Sequence, residues 1–289
     1  MTRIATAVIG AGVMGGRHAR TVAANKDCRL VAVIDLDLAR AHVVAERYGA
    51  EVRCDLPADV DAVIVATPAT THAQMAEVVL AAGAWCLVEK PFVTDVASAD
   101  ALLASPAIGR LGVAHSERFN PVFSDQPPRW RRRFEARRVA VPSGRAQDVD
   151  VIFDLMIHDL DLAVWGSGEA LRVEWATGTR SGGAWDEVTA CLRSASGAEA
   201  RFFASRRGVA VERHIALDHA ALDLSAPLLG PDALMRQWST FVDAIRGRAP
   251  FPIDAQTGLR GVSLAASVAS VVEEVGLART DIAEASTAR

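Results

Sequence analysis

The sequence predicts an α/β chain in two parts: a doubly wound parallel sheet, then an α+β domain on a large, mostly antiparallel open sheet. Three observations carry this expectation. Short β-rich runs alternate with amphipathic helical segments as far as Val113. A glycine-rich turn follows the first of those runs. From Arg133 onward, longer strand patterns follow one another with no helix between most of them. The length agrees, since 289 residues correspond to about two domains at roughly 150 residues each.

Residues 4–9 read as a strand and 14–24 as a helix. Residues 29–34 form the next strand, and the helix over 39–48 ends at Gly49. The run 62–66 (AVIVA) is too short for a helix and typical of a strand buried on both faces. Residues 71–82 are helical and stop at Gly83, a C-terminal cap. A strand at 84–88 and a helix at 97–104 repeat the pattern. Strands separated by helices of this length imply right-handed crossovers, hence a parallel sheet. Asp125-Gln126-Pro127-Pro128 then signals a loop. Strands are expected over 133–141, 171–178, 185–193, 198–205 and 210–218, and closing helices over about 232–246 and 257–275. Fraying is expected from Arg279. The boundary falls near residue 118, giving domains 1–118 and 119–289.

Composition excludes several classes. Lys and Arg total 31 against 35 Asp and Glu, a net charge of −4, without the basic excess a nucleic-acid or anionic-membrane binder needs. Hydrophobic content of 51% with 23% charged residues excludes intrinsic disorder. Cys28, Cys54, Cys86 and Cys191 are dispersed, with no metal-finger spacing, so no metal is expected and a reduced, cytoplasmic compartment fits best. The opening Met1-Thr2-Arg3-Ile4 leads into a strand pattern rather than a signal peptide, and no apolar run is long enough to span a bilayer.

Gly10-Ala11-Gly12-Val13-Met14-Gly15 is a G-x-G-x-x-G run between a strand and a helix, the context its mechanism needs. Gly10 permits the tight turn, Gly12 lets the backbone approach a pyrophosphate, and Gly15 allows close helix packing. The helix N-terminus offers free N–H groups and partial positive charge to the phosphates. Asp35 ends the second strand, where a carboxylate accepts from the ribose hydroxyls and repels a 2′-phosphate, so NAD is expected over NADP. Asp35 as a plain helix cap is the competing reading. Thr67-Pro68 follows the 62–66 strand at the ligand-binding end of such sheets. His72, at the start of the next helix, suits either that site or a structural bond to backbone. Glu89-Lys90-Pro91 ends the 84–88 strand. Lys90 there is either a solvated lysine or a cation beside a nicotinamide, placed where an alkoxide develops. Pro91 suits a cis bond.

In the second half, residues 154–165 read as a helix of about three turns ending before Gly166. Asp154 and His158 are four apart on one face, and His158 is the natural proton carrier near neutral pH. Two alternatives remain: Asp154 as an N-cap, or His158, Asp159 and Asp161 around a metal. Arg129-Trp130-Arg131-Arg132-Arg133 with Arg137 and Arg138 is either a solvated face or a diphosphate clamp.

Together, the glycine run, Ala66-Thr67-Pro68 with His72, Glu89-Lys90-Pro91, and Asp154 with His158 resemble the glucose–fructose oxidoreductase / inositol dehydrogenase / MocA (Gfo/Idh/MocA) family over nearly the whole chain. The resemblance implies an N-terminal Rossmann domain and a C-terminal sheet domain whose face often mediates homodimers or homotetramers. It implies that Gly10, Gly12, Val13, Met14, Gly15, Asp35, Thr67, Pro68, His72, Glu89 and Lys90 hold NAD, and that Lys90, Asp154 and His158 form the catalytic group. His115-Ser116-Glu117-Arg118-Phe119-Asn120-Pro121 is similar to the family's nucleotide-sugar branch and implies that Arg118 and Asn120 lie near the substrate. The expected activity is hydride transfer from a sugar hydroxyl, foremost the 3-hydroxyl of a nucleotide sugar such as UDP-N-acetylglucosamine, with Arg137 and Arg138 on the diphosphate. A free-sugar or cyclitol dehydrogenase and a catalytically silent NAD sensor are the alternatives.

Overall fold

The computed structural model describes residues 2–142, 149–180, 182–225 and 231–287, the last eleven of these by backbone alone. The chain divides into two compact units, Met1–Phe119 with Gly230–Leu259, and Asn120–Leu229 with Arg260–Arg289.

The first unit is built on a six-stranded parallel sheet. Its strands are β1 (Ile4–Ile9), β2 (Cys28–Ile34), β3 (Glu51–Arg53), β4 (Ala62–Val65), β5 (Trp85–Glu89) and β6 (Leu111–Ala114). The order β3-β2-β1-β4-β5-β6 reverses direction between β1 and β4, the switch point at which such sheets bind ligands. β1 and β4 are buried along their full length, as their unbroken apolar runs require. Helices α1 (Val13–Ala24), α2 (Leu38–Tyr48), α3 (His72–Ala81) and α4 (Val96–Leu103) make the crossovers. Asp37 caps α2 by accepting the Arg40 N–H at 3.0 Å, and Gly49 ends it in the left-handed region at φ 66°. The short edge strands β3 and β6, at three and four residues, are too brief to show a period in sequence.

Residues 230–259 are a departure, because the sequence assigns them to the second domain. They carry α6 (Ala233–Ile245), capped by Asp232. Its buried Trp238, Phe241 and Val242 join the core formed by Ile4, Cys28, Leu30 and Ala62. Phe241 meets Trp85 edge-on at 6.0 Å and Phe251 at 5.1 Å. An amphipathic pattern shows that a helix covers a core but not which core it covers.

The second unit carries β7 (Arg133–Val139), β8 (Leu171–Arg180), β9 (Trp185–Ser194), β10 (Glu199–Ser205), β11 (Glu212–Leu217) and β12 (Ala220–Asp223) in the order β12-β11-β7-β10-β9-β8. Only β7 and β10 run parallel; the other neighbours are antiparallel. Between β7 and β8 lie a π-helical turn, Ile152–Met156, and α5 (Ile157–Ser167), which pack on β7 and β10. Gly166 is inside α5 rather than after it. A Cβ there would collide with the Pro128 carbonyl and the Trp130 ring, so the glycine permits close approach, and Gly168 at φ 70° ends the helix.

The last helix, α7 (Ala255–Thr287), starts in the first unit and continues in the second. It runs past residue 275 and past the fraying expected from Arg279, since neither proline nor glycine occurs in 277–287. No helix among the described residues is long and apolar enough to cross a membrane.

Candidate functional site

In the first unit, the turn from β1 into α1 is shaped by its glycines. Gly10 has φ 94°, and a Cβ on it would strike the Ala66 carbonyl. A Cβ on Gly15 would overlap the Gly10 carbonyl oxygen, whereas a Cβ on Gly12 would meet nothing within 4 Å. The turn is therefore tight at both ends and open at its centre. Gly12 is also the N-cap of α1 and supplies no side-chain bond to the first turn, leaving the backbone around Val13 and Met14 to an anion. These features fit the pyrophosphate of a dinucleotide.

Asp35 extends the cradle. Its Oδ2 accepts the Ala11 N–H at 2.6 Å and its Oδ1 the Asp37 N–H at 2.8 Å. The cap of α2 is Asp37, so the capping alternative for Asp35 falls away. Arg40, in the first turn of α2, is paired with Asp37 at 3.2 Å rather than offered to a 2′-phosphate. The carboxylate at the end of β2 thus suits the unphosphorylated ribose of NAD.

Thr67 and Pro68 follow β4 directly, with the Ala66–Thr67 peptide against Gly10. Thr71 donates its hydroxyl to Thr67 Oγ1 at 2.8 Å. His72 is buried and bridges two carbonyls, Thr67 O from Nε2 at 2.9 Å and Pro91 O from Nδ1 at 2.7 Å. Both acceptors are carbonyl oxygens, so both bonds form together only on a doubly protonated ring. Of the two readings of His72, the structure favours the backbone brace over cofactor contact.

Lys90 is half-buried at the end of β5, and the Lys90–Pro91 peptide is cis. Glu89 is buried rather than open to a cofactor: His18 Nε2 donates to its Oε1 at 2.7 Å, and the Lys90 N–H donates to its Oε2 at 3.1 Å. Burial pushes the Glu89 carboxyl up, but the His18 bond and the nearby charges of His18, Lys90 and His72 outweigh it and hold the group below the ordinary glutamate range. A carboxyl with a depressed folded pKa stabilises above its unfolded value, about 4.3, and loses that contribution as pH falls through the folded value. Glu89→Gln is therefore expected to flatten the acid limb of a stability-against-pH curve, measured by chemical denaturation from pH 7 to 3. His18 escaped the sequence reading. Its signal was a histidine three residues after Gly15 and four before Val22, on the buried face of α1.

Arg118 lies in this unit too, half-buried in the 3-10 turn Ser116–Phe119. Asn120 opens the second unit. Its Oδ1 accepts the Val122 N–H at 3.1 Å and its Nδ2 donates to the Leu224 carbonyl at 3.2 Å, which gives the amide a local structural task.

In the second unit Asp154 lies within the π-helical turn, and His158 follows in the first turn of α5; both are half-buried. Asp154 is not an N-cap. That task falls to Asp150, whose Oδ1 accepts the Ile152 and Phe153 N–H groups at 2.9 and 3.3 Å. Burial raises the Asp150 carboxyl despite these bonds and the nearby Arg206. Arg206, unforeseen in sequence, donates to the Val149 carbonyl at 2.9 Å and stands 3.9 Å from the Asp154 carboxylate. Single-turn π insertions recur at functional sites because they re-aim one side chain in an otherwise regular helix.

Arg137 and Arg138 do not form the expected diphosphate clamp, because each is paired with an acidic side chain. Arg137 and Arg138 are adjacent on β7, so their side chains leave opposite faces of the sheet. Arg138 is buried in a two-point pair with Asp159, Nε to Oδ2 at 3.0 Å and Nη2 to Oδ1 at 2.7 Å. Arg137 donates to Glu212 at 2.6 Å and lies 4.3 Å over the Phe203 ring. Asp159 is thereby engaged, which removes it from the metal alternative. The preceding arginines have their backbone anchored instead: the N–H groups of Arg131, Arg132 and Arg133 all donate to the Asp218 carboxylate at 2.9 Å, and the Arg133 N–H is the first cause holding Asp218 below its usual range.

Known proteins align with this arrangement over nearly the whole chain. A model of the oxidoreductase family with an NAD-binding Rossmann fold matches residues 4–107, and a Gfo/Idh/MocA C-terminal domain model matches residues 96–217. The UDP-N-acetylglucosamine 3-dehydrogenase of Acidithiobacillus ferrooxidans is 32% identical, with 94% of this chain and 98% of that protein covered. Its solved structure superposes with a TM-score of 0.84 at 32% identity, covering 95% of this chain and 99% of that one. The inositol 2-dehydrogenase of Rhizobium meliloti is 32% identical over 69% of this chain and 68% of its own length.

Proposed function

For a chain that belongs to the Gfo/Idh/MocA family of NAD-binding oxidoreductases, we propose an NAD-dependent dehydrogenase that oxidises the 3-hydroxyl of a nucleotide-activated N-acetylhexosamine such as UDP-N-acetylglucosamine. The observation that carries this substrate is the end-to-end similarity to the UDP-N-acetylglucosamine 3-dehydrogenase, which spans 98% of that protein.

On this reading the turn from Gly10 to Gly15 receives the pyrophosphate on the N-terminus of α1, and Asp35 accepts from the ribose. Thr67 and Pro68 border the cradle. Bound NAD supplies the hydride acceptor. His158 takes the hydroxyl proton as general base, and Asp154, steadied by Arg206, orients His158 or the sugar. The Lys90 ammonium stabilises the negative charge growing on the sugar oxygen. Arg118 contributes to sugar binding, and the protein assembles in the cytoplasm as a homodimer or homotetramer through the sheet of its second unit.

One observation favours the second reading, a dehydrogenase of a free sugar or cyclitol. Arg137 and Arg138 are both committed to acidic partners, so neither stands ready for a diphosphate. Thermal-shift titration in the presence of NAD separates the two. UDP-N-acetylglucosamine is expected to raise Tm in a saturable way as it binds the folded state. A rise with myo-inositol and none with the nucleotide sugar moves the assignment to cyclitols. Tight NAD binding with no NADH absorbance change across both substrate classes revives the silent sensor.

A further inference from the structure

We propose that His18 is a positioning residue for Lys90, acting through the Glu89 carboxylate; the inference rests on the reading of Lys90 as the oxyanion-stabilising group. His18 lies on α1, the helix whose N-terminus forms the cradle, six residues beyond Gly12. It is buried, and its Nε2 donates to Glu89 Oε1 at 2.7 Å. The other oxygen of that carboxylate accepts the Lys90 N–H at 3.1 Å. One carboxylate thus joins the cofactor-binding helix to the backbone of the lysine, one oxygen to each. On the far side of Lys90, His72 holds the Pro91 carbonyl at 2.7 Å. The backbone at Lys90 is therefore held on both sides, by a part-buried bond to Glu89 and a buried one at Pro91.

His18 Nε2 carries the hydrogen that a carboxylate acceptor requires, while His18 Nδ1 has no partner among the described residues. The bond to Glu89 is a single N–H on a carboxylate oxygen, and the N–H of a primary amide of similar reach can replace it. Without the donor, a buried carboxylate is left short of one partner and turns or shifts to find another. The Lys90 backbone is attached to the same group and moves with it. A displacement of about 1 Å at a reacting group is enough to cost up to ~100-fold in rate. The phosphate cradle, at the opposite end of this bond, keeps its glycine geometry.

The test is a cycle in the full-length protein with UDP-N-acetylglucosamine and NAD. His18→Leu is expected to lower kcat about tenfold or more while the KM for NAD stays within about twofold, the split that marks a loss confined to the transition state. His18→Gln is expected to restore most of kcat. In a Lys90→Met background, His18→Leu is expected to cost nothing further, because the group it positions is gone. Glu89→Gln, which keeps the shape and removes one acceptor, is read in the same cycle and carries the test if His18→Leu does not fold. The inference is overturned if the losses multiply in the double variant, if His18→Gln is as impaired as His18→Leu, or if the KM for NAD rises while kcat holds. Undiminished turnover in Lys90→Met alone overturns instead the assignment of Lys90, and the inference with it.

Discussion

Lys90→Met is expected to lower turnover at least a hundredfold while NAD binding persists, and His158→Ala to do the same. A preorganised charge aimed at a developing oxyanion contributes about 10²–10³ in kcat, and a positioned general base about 10²–10⁴. Methionine keeps the length and apolar stem of Lys90 and removes only the ammonium. Alanine at residue 158 leaves the α5 backbone in place and removes the proton acceptor. The measurement is NADH formation at saturating substrate, with NAD affinity followed separately by calorimetry. Turnover near wild type in either variant refutes the role of that residue. Loss of NAD binding in both would instead show that they hold the cofactor rather than act on the hydroxyl.

The second large effect concerns stability. Arg138 and Asp159 are each 4% exposed at the side chain and bond through two parallel contacts. Arg138→Met removes both of these contacts from a buried carboxylate, and breaking such a pair from one side costs about 3–5 kcal/mol. For folding units of this size that corresponds to a fall in Tm of roughly 10 °C or more. The double variant Arg138→Leu with Asp159→Leu is expected to recover much of the loss, since apolar residues can replace a buried ion pair at little cost. Unchanged Tm with weakened binding of a UDP-sugar would return Arg138 to the substrate, where the sequence pattern placed it.

The arginine-rich stretch shows how pattern and structure part. A run of guanidinium groups with a plausible diphosphate ligand is legible in sequence, yet pleating sends Arg137 and Arg138 to opposite faces. Their acidic partners lie 75 and 21 residues away, at Glu212 and Asp159. The helix carrying Asp154 and His158 was legible, but its start was not. Asp150, four residues earlier, caps a π-helical turn whose wider spacing leaves no mark on a pattern of apolar residues.

By itself, the order of residues determined β1, β2, β4 and β5 with the helical crossovers of the parallel sheet, the G-x-G-x-x-G turn at residues 10–15 and the acid closing β2. Each depends on backbone dihedrals or side-chain periodicity within a few neighbours. Tertiary structure alone decided that His18 meets Glu89, 71 residues on, that Arg138 belongs to Asp159, and that α6 covers the first core rather than the second. Those pairings follow from topology: a buried charge is satisfied by whichever group the chain brings within about 3 Å, and local pattern carries no record of that distance.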